Sequence, residues 1–67
     1  MRYTHTKPAR SLVVGDLVSY QGLNGQLALT VAEILPEKGW INVRLEHEGH
    51  TIDLARWRPN RPIPMAQ

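Results

Sequence analysis

The chain has 67 residues, a net charge of +2 and no cysteine, which limits it to one small domain without disulfides or cysteine-based zinc sites. Its longest mostly apolar run, LALTVAEIL, is nine residues long and contains a glutamate. Crossing a bilayer takes about 20 apolar residues, and the basic N-terminus lacks the apolar centre of a signal peptide. We therefore expect a soluble, cytoplasmic protein with no membrane partner. A domain this small needs tight packing or assembly with a partner to be stable.

Charge is unevenly distributed along the chain. Residues 1–10 and 55–67 each carry three basic residues and no acid, whereas the middle carries all six acids against Lys38 and Arg44. Such asymmetry indicates an anionic partner. Basic ends that only keep a small domain soluble would give the same pattern.

The two ends differ in composition from the middle. Residues 1–10 contain Pro8 and show no periodicity, which predicts a flexible basic arm. Residues 59–67, PNRPIPMAQ, hold three of the five prolines and predict an extended Pro-rich tail. The folded domain is then expected to cover residues 11–58.

Short strand-like runs separated by turn residues follow in the middle, and no helical periodicity appears. The first predicted strand is Leu17–Tyr20, after a Gly15-Asp16 turn. A loop with a glycine at each end, QGLNG, leads to a second strand at Leu27–Leu35. The apolar alternation of this strand slips, which predicts a bulge near Ala32-Glu33. Residues 36–39 form the next predicted turn.

The last two runs, Trp40–His47 and His50–Trp57, predict a hairpin with Glu48-Gly49 as a two-residue loop. An uninterrupted register from His47 opposite His50 places Arg44 opposite Asp53 on the outer face. The same register places Trp40 opposite Trp57 on that outer face. The expected core residues of the hairpin are Ile41, Val43, Leu45, Ile52 and Leu54.

The stretch VVGDLVSYQGLNGQLALTVAEIL resembles the SH3-like barrel superfamily, especially its KOW and Tudor-type modules. The likeness lies in a Gly-Asp pair that enters a strand, a glycine-containing loop and a Val-x-x-Ile strand. It implies an all-β fold, a small five-stranded SH3-like barrel with the basic arm and Pro-rich tail outside it. KOW-like modules carry a basic residue in the loop and a glycine before the second strand's valine. Here the loop is QGLNGQ and Leu29-Thr30 precede Val31, so ribosomal or transcription-factor function does not transfer.

The order GDLV, glycine loop, EKGWINVRLEHEGHTIDL is also similar to plasmid-type, tetrameric SH3-like dihydrofolate reductases. Those enzymes build a central pore from a Val-Gln-Ile-Tyr run. The matching positions here, Thr51-Ile52-Asp53-Leu54, lack the Gln and Tyr that contact folate and nicotinamide. This resemblance implies a shared fold without the shared chemistry, so we expect no cofactor.

No pattern in the sequence indicates catalysis. There is no nucleophile elbow, no identifiable pair of acids and no phosphate-binding glycine loop before a helix. We expect a protein that is not an enzyme and has no small-molecule substrate. His47, Glu48 and His50 offer too few ligands for zinc unless His5 folds over them, so we interpret them as a polar hairpin tip without metal.

Basic residues combined with tryptophans are the remaining signal. Nucleic-acid-binding proteins need cations for phosphates and aromatic faces for bases. The candidate nucleic-acid-binding residues are Arg10, Trp40, Asn42, Arg44, Arg56, Trp57, Arg58 and Arg61. They predict a non-enzymatic module for accessory DNA or RNA binding.

Aromatic and arginine enrichment marks protein interfaces equally well. The alternative is therefore a protein–protein interaction or homo-oligomeric assembly module of a phage, plasmid or bacterial accessory system. In that alternative the tryptophans form a subunit contact. Trp57 covering the bottom of the barrel, with arginines around it, would also fit the sequence.

Overall fold

A computed structural model describes residues 5–23 and 25–66 of the chain. Most of these residues lie in six strands, and the all-β prediction is confirmed. The elements in chain order are β1 (Thr6–Pro8), a 3-10 helix (Ala9–Ser11), β2 (Leu17–Gly22), β3 (Gly25–Glu37), β4 (Trp40–His47), β5 (His50–Trp57) and β6 (Pro62–Pro64). Among the described residues, no helix combines the length and the apolar character needed to cross a membrane.

Strands β2 to β5 form one antiparallel sheet in which each strand pairs with the next along the chain. The β4–β5 turn has the two central residues that the sequence predicted. Glu48 and Gly49 have φ values of 51° and 82°, and two successive positive φ angles are typical of a type I′ hairpin turn. Glycine adopts this conformation without steric cost, which fixes the loop at this point.

A bulge divides β3, as its broken alternation predicted. The register with β4 shifts between Val31 and Glu33, so one additional residue lies between the two halves of the strand. Leu29 and Val31 before the shift are fully buried, and Ile34 after it packs against the same core. The bulge therefore keeps apolar residues of both halves on one face of the sheet.

The chain ends differ from the predicted arm and tail. Lys7 pairs with Ile63 at the centre of a two-stranded antiparallel ribbon formed by β1 and β6, which we call the terminal ribbon. Ala9, Ile63 and Met65 are buried in the main core, so the fold extends beyond residues 11–58 at both ends. Residues 1–4 of the predicted arm lie outside the described residues. Proline content hid this pairing, because prolines lack the N–H that a longer ladder would need.

The described residues form six strands in two sheets without a closed barrel, so the predicted five-stranded barrel is not confirmed. The terminal ribbon meets the larger sheet through one isolated bridge between Val18 and Met65 and a hydrogen bond from the Ala66 N–H to the Leu17 carbonyl, 2.9 Å. Strand β6 cannot continue this ladder, because it is only three residues long and both its first and last residues are prolines. Within residues 5–23 and 25–66, β5 pairs with β4 alone.

The hairpin core differs from the prediction because of a second bulge. His47 faces His50 as expected, but Leu45 faces Asp53 because the register shifts between Leu45 and Glu46. A shift of one residue turns every later side chain to the other face. Ile52 and Leu54, both expected in the core, are consequently 44% and 73% exposed.

The buried core combines residues from the ends and from β2, β3 and β4. Its members are Ala9, Leu12, Val18, Leu29, Val31, Ile41, Val43, Leu45, Ile63 and Met65. From β5, Ala55 and Trp57 pack against this cluster instead of Ile52 and Leu54. We refer to the opposite face of the sheet, which points away from the cluster, as the outer face.

Candidate nucleic-acid interface

The two tryptophans of the hairpin do not meet. Trp57 faces Ile41 across the ladder and packs against the core, whereas Trp40 lies on the outer face. This result corrects the prediction that Trp40 and Trp57 form one outer surface. The β5 bulge is the cause, because it turns Trp57 inward. Trp57 therefore contributes to the fold, and Trp40 is left as the tryptophan of the candidate interface.

Two arginines stack on Trp40. The guanidinium carbons of Arg56 and Arg58 lie 4.4 and 3.9 Å from the centre of the Trp40 ring. The two arginines are two positions apart, so they project from the same side of the β5 segment. Arg58 also donates a hydrogen bond of 3.2 Å from Nη1 to the Gly39 carbonyl, in the β3–β4 turn. These contacts hold Trp40 and both guanidinium groups in one layer on the outer face.

Glu37 balances the charge of Arg56. Its Oε1 accepts hydrogen bonds from Asn42 Nδ2 at 3.0 Å and from Arg56 Nη2 at 3.3 Å. The Asn42 hydrogen bond, followed by the Arg56 charge, lowers the pKa of Glu37 below its ordinary value. Asn42 also donates to the Leu35 carbonyl at 3.2 Å, which fixes its orientation. Asn42 and Arg56 are thus both engaged by Glu37.

Arg44 is also neutralised by acids. Its Nε donates to Glu33 Oε1 at 3.2 Å, and its Nη1 forms an ion pair with Glu46. The hydrogen bond to Glu33, then that to Glu46, raises the pKa of Arg44. The sequence predicted a cross-strand pair with Asp53, but the bulge places Leu54 opposite Arg44. With two acids around it, Arg44 offers no unbalanced charge to a phosphate.

Four exposed cations have no acidic partner within the part of the chain that the structure describes: Arg10, Lys38, Arg58 and Arg61. The turn at residues 58–61 connects three of them. Its Arg61 N–H donates to the Arg58 carbonyl at 3.0 Å, and the Arg10 N–H donates to the Pro59 carbonyl at 3.0 Å. Arg10 also hydrogen-bonds through its guanidinium to Asn60.

Lys38 joins this group through the neighbouring turn. It precedes Gly39, whose carbonyl accepts the hydrogen bond from Arg58. We call Arg10, Lys38, Arg58 and Arg61 the basic end. The sequence predicted three of its four members and missed Lys38, which was counted within the acidic middle. The sequence feature that could have identified Lys38 is its position in a turn with Gly39, next to Trp40.

A shallow groove crosses the outer face next to the Trp40 stack. Its volume is ≈ 350 Å³, and its walls are mainly apolar. Leu35 and Leu54, which are 57% and 73% exposed, stand on its sides. The neutralised Arg44 lies in its lining. The groove therefore presents apolar surface without an unbalanced charge from Arg44, which differs in character from the basic end.

The hairpin tip does not gather a metal-ligand set. His47 Nε2 lies 3.7 Å from Glu48 Oε2, and no group of three or more histidine, aspartate or glutamate side chains converges among the described residues.

Comparisons of the chain with protein-family models, with curated proteins and with solved structures give no match. The functional interpretation consequently depends on the geometry of the outer face and of the basic end.

Proposed function

We propose that the protein is a non-enzymatic nucleic-acid-binding module with an open, SH3-like arrangement of its strands. The fold part of this proposal is supported by the bulged β3, which pairs with both β2 and β4 and is the long bent strand expected of such an arrangement. The functional part depends on one observation. Four cations without acidic partners in the described chain lie on two turns that Arg58 connects. Arg58 stacks on Trp40 and donates to the Gly39 carbonyl next to Lys38, while backbone hydrogen bonds join Arg10 and Arg61 to the turn at residues 58–61.

The electrostatics divide the arginines into two groups. Arg44 and Arg56 are paired with acids, so binding a phosphate would first require breaking an ion pair. Members of the basic end carry no such cost. Protein cations that neutralise phosphates release counterions, and the affinity then falls with salt in proportion to their number. Four contacts correspond to a slope of log K against log salt of about −3 to −4.

Trp40 supplies the aromatic component. A base can stack on the planar guanidinium of Arg58, which itself lies 3.9 Å from the Trp40 ring centre. Stacking needs an unpaired base. The stack therefore favours single-stranded nucleic acid over a duplex, with little base preference.

Fluorescence anisotropy with labelled single- and double-stranded oligonucleotides tests this function at two salt concentrations. Replacing Arg58 and Arg61 together by alanine should weaken binding and reduce the salt slope by about 2. Arg44→Ala is the matched control, because it removes an arginine that is already neutralised. Absence of binding at low salt, or an equal loss in the Arg44→Ala control, would contradict the proposal.

A second function, protein interaction or homo-oligomeric assembly, is supported by a different observation. Leu35 and Leu54 expose apolar surface around a groove in which Arg44 is neutralised. Desolvating such a surface costs less than desolvating the basic end, and apolar side chains are typical of interface centres. Light scattering over a range of protein concentrations, with no nucleic acid present, tests assembly separately from oligonucleotide binding.

A further inference from the structure

The two edges of the main sheet differ in whether another strand pairs with them. At the β2 edge, Met65 bridges to Val18 and the Ala66 N–H donates to the Leu17 carbonyl. At the other edge, β5 pairs with β4 only, as far as the described residues show. Unpaired N–H and C=O groups along a strand edge are a template for another strand. The β5 edge is therefore the place where this sheet can be extended.

Backbone and side chains near Leu54 suit such an extension. The Leu54 N–H donates to its neighbour's carboxylate, Asp53 Oδ1, at 2.9 Å, so its acceptor lies on β5 and not on β4. Leu54 is 73% exposed and Ile52 is 44% exposed, although both are large apolar side chains. Between Asp53 and Trp57 the pairing with β4 is regular, so this half of the strand is straight enough to pair.

We propose that two copies of the chain pair antiparallel along β5, with Leu54 of one copy facing Leu54 of the second, so that their sheets become continuous. This inference deepens the assembly function proposed above by naming the partner and the contact. It does not depend on nucleic-acid binding.

Symmetry restricts the register of this pairing. Facing residues in antiparallel strands must point to the same side of the sheet, and a two-fold axis perpendicular to the sheet keeps the sides matched. Only registers in which one residue faces its own copy satisfy both conditions. Centring on Asp53 would place two carboxylates directly opposite each other, which is destabilising. Centring on Leu54 places the exposed leucine of the strand against its own copy.

The Leu54 register also matches the neighbouring side chains. Arg56 then lies toward the bulge residue Ile52 of the second copy, at the end of the regular ladder. Asp53 faces Ala55 of the second copy, and no like charges oppose each other in these pairs. The Leu54 N–H exchanges the Asp53 carboxylate for the Leu54 carbonyl of the second copy. Edge pairing over so few residues buries less than a standard interface, so we expect micromolar or weaker self-association.

A charge-swap experiment tests both the dimer and its register. Sedimentation equilibrium of the full chain without nucleic acid, from about 1 μM to about 1 mM, should show a monomer–dimer equilibrium. Leu54→Glu and Leu54→Lys should each weaken dimerisation by at least about tenfold, because each places like charges at the two-fold axis. An equimolar mixture of the two variants should restore dimerisation, since Glu then faces Lys.

Val14 supplies the matched control. It is 64% exposed and precedes β2, away from the β5 edge, so Val14→Glu and Val14→Lys should leave dimerisation unchanged. The near-ultraviolet circular dichroism spectrum, to which the core-packed Trp57 contributes, verifies that each variant is folded. A wild-type protein that stays monomeric throughout would overturn the proposal. So would a folded mixture without restored dimers, or Val14 variants that dissociate as the Leu54 variants do. None of these outcomes bears on oligonucleotide binding, which is measured separately.

Discussion

Replacing Trp57 by alanine should lower the free energy of unfolding more than replacing Trp40, because only Trp57 packs against the core. A large aromatic side chain buries about 150–250 Å² when fully enclosed, corresponding to about 4–6 kcal/mol at 25 cal/mol per Å². Trp57 is only partly buried against the core, so we expect Trp57→Ala to cost about 3 kcal/mol. Trp40→Ala removes two cation–π contacts on the outer face and should cost about 1 kcal/mol. A domain of this size has only about 3–10 kcal/mol in total, so the first change removes a large share.

Urea unfolding measures this difference directly. Far-ultraviolet circular dichroism follows both variants, and each retains one tryptophan whose fluorescence gives a second probe of the same transition. Trp57→Phe is the conservative control and should keep most of the stability, because a phenyl ring still fills much of the site. Equal losses for the two alanine variants, or a larger loss for Trp40→Ala, would refute the assignment of Trp57 to the core.

Two further predictions concern the turn before β2 and the corrected hairpin core. Lys7 Nζ at 2.8 Å and the Val13 N–H at 3.0 Å both donate to Asp16 Oδ2. These two hydrogen bonds, with that of Lys7 the larger effect, lower the pKa of Asp16 from its ordinary 3.8. The stabilisation by the Asp16 carboxylate is therefore complete above pH 3.8 and disappears as the pH falls through the lowered pKa. Measured by urea unfolding at pH 7, the free energy of unfolding should exceed that of the Asp16→Asn variant by about 1–2 kcal/mol. This difference should vanish at acid pH. In the same assay Val43→Ala should cost about 2 kcal/mol and Ile52→Ala less than about 1 kcal/mol, because Val43 is buried whereas Ile52 is 44% exposed. A larger cost for Ile52→Ala would contradict the bulge and support the uninterrupted register.

The two bulges show what the sequence can and cannot determine about this fold. The β3 bulge was predictable, because the phase of Leu29 and Val31 differs from that of Ile34 along the chain itself. In β5, Ile52 and Leu54 alternate regularly, so the local pattern favours a ladder without interruption. The competing choice puts Ala55 and Trp57 against the core. That choice depends on which side chains fill space beneath the sheet, and the sequence of one strand does not contain this information.

The candidate site was predictable to a similar extent. The cations at both ends of the chain were visible in the charge distribution, and the structure joins Arg10 to the turn at residues 58–61. The ion pair of Arg44 with Glu33 was not predictable, because it depends on the register of β3 against β4. The pairing of the terminal ribbon is equally remote in sequence. It joins residues from opposite ends of the chain, and no local periodicity marks such a contact.

The terminal ribbon also bears on the order in which the protein folds. Short turns connect β2, β3, β4 and β5, so their pairings close small loops and cost little chain entropy. Bringing Thr6 to Pro64 closes a loop that contains the whole sheet, and the ladder formed by this closure has only three residue pairs. Contacts of such long sequence separation form late, so the sheet should assemble before its ends meet. Until then Val18 lacks its Met65 neighbour, and the β2 edge is as open as the β5 edge.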